Sequence, residues 1–323
     1  MLPLLKLVLS NLCTMPMLLF LCGFALSFTK LTKLLRASEQ NILIYFLLFS
    51  IGLKGGSSFQ GGIGVKFFYL LGLLIAWGLL QPFLSFWILR KFTKIDSSTA
   101  AVIASCFGSV SLVTFAAATA FLEKLHICYE SLVISLLAIM EIPAIFSGLF
   151  ISKWQNLSQN QKTKGLLKHT FFNKTIGLII FGLISGIVCN YLDFQVFTAN
   201  IKKLFIPCLY VFLLNMGFII GHQRKDLHHF SFSLCLFGCY MPLFGGAFGL
   251  YLSYLCHLNV GSATLVAVLT ASASYIAVPA AMKIAIPQAK ESIYLPLALM
   301  IAFPFNILLG IPTYFLLASK LLS

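Results

Sequence analysis

The sequence predicts an all-α polytopic membrane protein of ten transmembrane helices, arranged as two inverted five-helix repeats. Three observations predict it. Of the 323 residues, 60% are apolar and only 9% charged, against about 25% charged in soluble domains. The apolar residues fall into ten runs bounded by charged or turn-forming connections. The first five runs align with the last five at a nearly constant shift in sequence. A mean hydropathy of +0.99 over the chain requires many apolar segments and not one anchor. These features exclude a water-soluble globule, and at about 20 residues per span they leave no room for an extramembrane domain.

The runs cover about 8–28, 40–53, 67–89, 98–122, 131–152, 175–192, 205–221, 230–256, 260–283 and 292–319. The first follows Lys6 in the manner of a secretory signal, but its Gly23 falls under Gly186 at a shift of 163, which predicts that it is retained as a span. The second is short for a straight span and stops at Lys54-Gly55-Gly56, so it extends backward into Arg36–Gln40 or ends irregularly. Lys54 there reads first as a snorkelling lysine at a turn, and second as part of a substrate path.

The net charge of +14 comes from 22 basic and 8 acidic residues scattered between apolar runs. That distribution argues against nucleic acid as a partner and for membrane topology. With the amino terminus outside, 15 of the 22 basic residues fall in cytoplasmic connections, so both termini are expected outside the plasma membrane. The longest polar connection carries five lysines and divides the chain into a first repeat at 1–152, a cytoplasmic linker at 153–174 and a second repeat at 175–323. The nine cysteines lie mostly within apolar runs without metal-site spacing and read as packing residues. The six histidines sit in connections or at span ends, also without such spacing.

The repeat is clearest in the fourth and ninth spans. A shift of 163 brings Ala100, Ala104, Ser109 and Ser111 onto Ala263, Ala267, Ser272 and Ser274. A shift of 161 aligns Glu130-Ser131 and Pro143 with Glu291-Ser292 and Pro304, and a shift of 165 aligns Tyr45, Leu48 and Gly52 with Tyr210, Leu213 and Gly217. An odd number of spans per repeat makes the repeats inverted.

Both aligned spans place small hydroxyl residues at mid-membrane, and the ninth follows them with Pro279, which removes a helix hydrogen bond. One such cluster alone would read as close helix packing. Two at equivalent positions predict broken, crossing helices, since irregular backbone survives at that depth only in a protein interior or a polar cavity. Half-helix amino termini then offer partial positive charge to an anion. Seven of the eight acids lie in connections or at span ends, whereas Glu141 lies ten residues into the fifth span, before a helix-breaking Pro143. An intramembrane carboxylate is costly, at least ~2.5 kcal/mol, and marks a functional site by default. With Ser109, Ser274 and Thr114 nearby it supplies the oxygen set that hard cations prefer. Asn306, two residues after Pro304, adds a neutral oxygen or an interhelical amide hydrogen bond.

The segments IGLKGG (51–56), GSVSLVTF (108–115), EIPAI (141–145), ASASYIAVPAAM (271–282), FPFN (303–306) and GIPTY (310–314) together resemble the sodium-dependent bicarbonate transporters first associated with cyanobacterial carbon concentration. They occur in order from the second span to the tenth. The resemblance implies a core-and-gate fold like that of bile-acid sodium symporters. Spans 3–5 and 8–10 would form the core, spans 1, 2, 6 and 7 the gate, and the assembly would be a homotrimer. It implies an anion site at Gly108, Ser109, Val110 and Ser111 with Ala271, Ser272, Ala273 and Ser274, and a sodium site at Glu141 and Asn306 with the neighbouring serines. Ala302 stands where the family is expected to carry a hydroxyl. Known members can be inhibited by a small trimeric PII-like signalling protein on the cytoplasmic face, which is the regulatory partner the resemblance implies.

The expectation is therefore a secondary transporter, not an enzyme, importing bicarbonate or another small oxyanion with sodium as coupling ion. The alternative within transport is a sodium symporter of the same fold for another small anion or an organic acid. An intramembrane enzyme would need a nucleophile with its base, or a metal cluster, at one depth. A scaffold would need no buried carboxylate beside two broken helices.

Overall fold

The computed structural model describes residues 15–29, 37–57, 64–155, 174–192, 194–222 and 230–322, and all regular secondary structure among them is helical. The opening of the expected first span and all but the ends of the expected 153–174 linker lie outside the described residues. The helices are α1 (Met15–Leu26), α2 (Ala37–Ser57), α3 (Val65–Phe92), α4 (Ser97–Gly108), α5 (Leu112–Lys124), α6 (Leu132–Trp154), α7 (Lys174–Tyr191), α8 (Gln195–His222), α9 (Phe232–Leu255), α10 (Val260–Ala271), α11 (Ala277–Ala285) and α12 (Glu291–Leu321). Among the described residues, six stretches are long and apolar enough to cross a membrane: α3, Ser97–Lys124 across α4 and α5, α6, most of α8, α9 and α12. The chain is thus a polytopic membrane protein.

Several helices exceed the expected runs. The second run is a regular helix of 21 residues, Ala37–Ser57, which reaches about 30 Å at 1.5 Å per residue and settles its apparent shortness. The seventh begins at Gln195 and not near 205, because Lys202 and Lys203 interrupt the apolar run without interrupting the helix. Pro143 does not break the fifth span: α6 continues through it, as α3, α8 and α9 continue through Pro82, Pro207 and Pro242. In a membrane bundle neighbouring helices re-satisfy the freed carbonyls, so proline there is tolerated. Around Pro304 the helix α12 widens into π turns at Leu297–Ala302 and Asn306–Gly310, which accommodate the lost hydrogen bond without ending the helix.

Caps fix the helix starts. Asp96 accepts from the Thr99 amide (3.0 Å) and Asn259 from the Ser262 amide (2.8 Å), at the starts of α4 and α10. Ser111 and Ser231 cap α5 and α9 in the same way. Two of the connection histidines, His126 and His257, have φ of 56° and 49° after α5 and α9. There the following amides of Ile127 and Leu258 reach back to Leu122 and Ser253, both at 3.0 Å. This is the left-handed helix stop usually made by glycine.

Packing follows small residues. α1 lies along α8 and α2 along α7 in the most extensive helix contacts of the molecule, and α8 also contacts α2. A side chain at Gly23 would strike the Leu214 carbonyl of α8, and one at Gly186 would strike the Leu53 carbonyl of α2. Gly217 and Gly56 are equally tight, against Phe20 and Leu183 respectively. These two interfaces repeat each other with α7 shifted by 163 from α1, but α8 shifted by 161 from α2. Gly56, and not Gly52, therefore occupies the place of Gly217, one helical turn from the alignment at 165. On the other side, α3 packs on α4 and α6, α9 on α10, and residues 98–119 across α4 and α5 are buried without exception. Hydrogen bonds tie the sequence halves together: the Glu130 amide donates to Ser262 Oγ (2.8 Å) and the Lys290 amide to Thr99 Oγ1 (3.0 Å).

At the α5 end of the molecule Lys54, from α2, forms an ion pair with Glu123 of α5. The Tyr129 hydroxyl donates to the same carboxylate (2.8 Å), and Lys54 Nζ lies 5.9 Å from the Tyr129 ring centre and 5.7 Å from that of Phe205 on α8. Lys54 is therefore a paired residue joining α2 to α5, with burial pushing the Tyr129 phenol well above its usual range. Glu123 borders two cavities: one of about 480 Å³ among α1, α5, α8 and α12, and one of about 420 Å³ beside Lys54, Cys128 and Tyr129.

Candidate functional site

α4 ends at Gly108 and α5 begins at Leu112, so the fourth run is interrupted at Ser109, Val110 and Ser111. The ninth is interrupted at Ser272–Ile276, and α11 resumes with Pro279 in its first turn, where a missing N–H removes no hydrogen bond. The hydroxyl clusters are the places where the helices stop. α4 packs on α11 and α5 on α10, so the two interrupted stretches run in opposite directions past each other.

The interruptions bond to each other. The Ser274 amide donates to the Cys106 carbonyl (2.8 Å), and the Ser111 amide donates to Ser272 Oγ (2.9 Å), which passes a weaker bond to the Leu269 carbonyl (3.3 Å). The second link reproduces the first with one hydroxyl inserted. Within each break further polar groups are engaged. Thr114 donates its amide (3.3 Å) and hydroxyl (2.9 Å) to Ser111 Oγ, the Val278 amide donates to Ser274 Oγ (3.3 Å), and the Ser109 and Ser272 amides reach Cys106 and Val268. The amides of Ser109, Ser111, Ser272 and Ser274 are therefore all paired. The first-turn amides of α5, at Leu112 and Val113, keep the open donor capacity of a helix start.

Glu141, on α6, is 3% exposed, and its Oε2 has no hydrogen-bond partner. It shares a cavity of about 10 Å³ with Val110, Ser111 and Leu112 from the first break and Ser274, Tyr275 and Ile276 from the second, closed by Ile44 and Leu48 of α2. That is about the room of a single water. Two further buried oxygens at the breaks lack partners, Ser109 Oγ and the Tyr275 hydroxyl. Buried polar atoms are almost always paired, so three unpaired oxygens at and beside the two breaks mark this region as the candidate site.

The structure brings Glu141, Val110, Ser111 and Ser274 to one cavity, with Ser109, Thr114, Gly108, Ala271, Ser272 and Ala273 buried around it. Asn306 has a bracing position: its Nδ2 donates to the Ala271 carbonyl at the end of α10 (3.1 Å). Its Oδ1 accepts from the Tyr314 hydroxyl (3.2 Å), a donor shared with the Pro242 carbonyl (3.0 Å). Asn306 thus braces the second break, with one lone pair of its Oδ1 left over. Tyr275 was not among the residues singled out for the site from sequence. The signal for it was present in a tyrosine at mid-span, away from the interfaces where its hydroxyl would find water.

The family model described as the Na+-dependent bicarbonate transporter superfamily matches residues 16–319. No curated protein matches the chain significantly.

Proposed function

The chain belongs to the Na+-dependent bicarbonate transporter superfamily, and from that premise we propose that it imports bicarbonate together with sodium by alternating access. One observation carries the reading: two interrupted helices, one from each half of the chain, meet at their breaks beside a buried carboxylate with an unpaired oxygen. Ionised Glu141 accepts hydrogen bonds only and attracts a cation, whereas helix starts favour an anion. A sodium ion and a bicarbonate bound together offset each other's charge, which lowers the cost of holding either at membrane depth.

In this reading ten spans form two inverted repeats. The recurrence of caps and close approaches at separations of 161 and 163 residues supports it. Spans 3–5 and 8–10 (α3–α6 and α9–α12) are the core that carries the site. Spans 1, 2, 6 and 7 (α1, α2, α7 and α8) are the gate, whose mutual packing through Gly23, Gly56, Gly186 and Gly217 favours movement as one body. Ile44 and Leu48 belong to the gate and wall a cavity whose other lining belongs to the core. Core movement against the gate would therefore widen the space to admit a polyatomic anion. The proposal includes a homotrimer in the inner membrane with both termini outside, and a PII-like protein as its cytoplasmic regulator.

The test is uptake of radiolabelled bicarbonate into proteoliposomes with an inward sodium gradient, against the same vesicles without sodium. Sodium-stimulated accumulation is expected. Equal uptake in sodium-free buffer would remove the symport reading.

A further inference from the structure

An anion at the breaks needs hydrogen-bond donors, and most donors there are already committed. The amides of Ser109, Ser111, Ser272 and Ser274 bond within or between the breaks, and the Asn306 amide group bonds Ala271. Two side-chain hydroxyls meet no partner in good hydrogen-bond geometry, Ser109 Oγ and Tyr275 OH, the second with the Ser111 hydroxyl near it. Only Tyr275 lines the cavity that holds Glu141.

Tyr275 is 8% exposed, and its ring is held edge-on by Phe303 of α12 with centres 5.6 Å apart. Phe303 packs in the same way on Phe20 of α1, at 5.9 Å. The phenol is therefore fixed in direction by neighbours on both proposed bodies, while its polar end is left open. A buried tyrosine ordinarily finds a partner for that end. A phenol donates through its O–H, whereas an ionised Glu141 has only acceptors. The two groups therefore divide one cavity into a side suited to an anion and a side suited to a cation.

We propose that the Tyr275 hydroxyl is the side-chain hydrogen-bond donor to the transported oxyanion, and so a determinant of substrate affinity separate from the sodium site. This rests on the transport reading above. A hydrogen bond to a charged group is strong because the donor's alternative partner, water, is absent at this depth. The ring also gives the site a link to the gate, since Tyr275, Phe303 and Phe20 form one aromatic chain.

Tyr275→Phe keeps the ring and removes only an oxygen that makes no well-formed hydrogen bond within the protein, so its melting temperature should equal that of the wild type. In proteoliposomes the KM for radiolabelled bicarbonate at saturating sodium should rise by about 10- to 100-fold, the range expected for a lost bond to a charged ligand. The half-saturation concentration for sodium, measured at saturating bicarbonate, should be unchanged. A bicarbonate KM equal to that of the wild type overturns the proposal. A raised sodium requirement with an unaltered bicarbonate KM overturns it too, by making Tyr275 a sodium ligand. A lowered melting temperature or failure to fold would make the hydroxyl structural and likewise overturn it. Failure of the wild type itself to accumulate bicarbonate on a sodium gradient would instead remove the transport reading, so the two failures are distinct.

Discussion

Ser109 and Ser272 align at a shift of 163, yet replacing each by alanine should have opposite consequences. Ser272 Oγ accepts from the Ser111 amide at 2.9 Å and passes a bond to the Leu269 carbonyl, with both serines buried. Ser272→Ala would leave the Ser111 amide buried and unpaired, which costs about 1–3 kcal/mol, a factor of about 5 to 150 in the folding equilibrium. Ser109 Oγ has no partner, so Ser109→Ala removes an unmet demand and should lie within about 0.5 kcal/mol of the wild type. Leucine at either place would fill the contact between the breaks and abolish transport. The measurement is the unfolding midpoint of each alanine variant, purified in one detergent and followed by circular dichroism, with uptake assayed in parallel. Equal destabilisation by the two alanines would refute the hydroxyl relay and the asymmetry derived from it.

Three further outcomes are expected. Glu141→Gln should leave the protein folded and raise the sodium half-saturation concentration by at least about tenfold, which corresponds to ~1.4 kcal/mol; an unchanged sodium curve would move the cation elsewhere. Lys54→Gln and Glu123→Gln should be non-additive in a double-mutant cycle on stability, with a coupling of about 0.2–1 kcal/mol for this partly exposed pair; strict additivity would mean that the pair contributes nothing. Partial burial pushes the Asp96 carboxyl up, but the Thr99 amide and hydroxyl and the Lys290 charge outweigh it and hold it below its usual value. Its stabilisation is therefore full above the unfolded value of about 3.9 and is lost as pH falls through the lower folded one. Asp96→Ala should cost about 0.5–2 kcal/mol at neutral pH, whereas Asp96→Asn, which reproduces the Asn259 cap, should cost less. A pH-stability series in which the gap between wild type and Asp96→Ala does not narrow in acid would contradict this.

Where the helices stop was legible because hydroxyl residues and glycine in an apolar span have few other reasons to cluster. Glu141 was legible because a carboxylate in hydrocarbon is conspicuous. The state of the breaks was not legible. Whether the Ser111 amide is free or bonded depends on Ser272, 161 residues away, and no local pattern encodes that distance. The Lys54–Glu123 pair was hidden for the same reason, since each residue alone reads as a charge at a span end. Pro143 misled because helix breaking by proline is a local rule, and here the bundle around α6 overrides it. His126 and His257 carried no signal, since left-handed stops are expected of glycine or asparagine.

The mutual bonding of the two breaks has a consequence for how the protein is made. α4 and α5 leave the ribosome long before Ser272 and Ser274, which complete their hydrogen bonds. At ~5–20 residues per second, a separation of 161 residues is roughly 8 to 32 s of synthesis. Throughout that interval an interrupted span with open amides must wait at membrane depth, where lipid offers no partner. The nascent first half is therefore the most vulnerable stage in the life of this protein, either sheltered by the insertion machinery or exposed to membrane proteases. A chain terminated before Ser272 would remain in that state permanently, so truncations at the carboxyl end would be cleared by quality control and would not persist as inactive transporters.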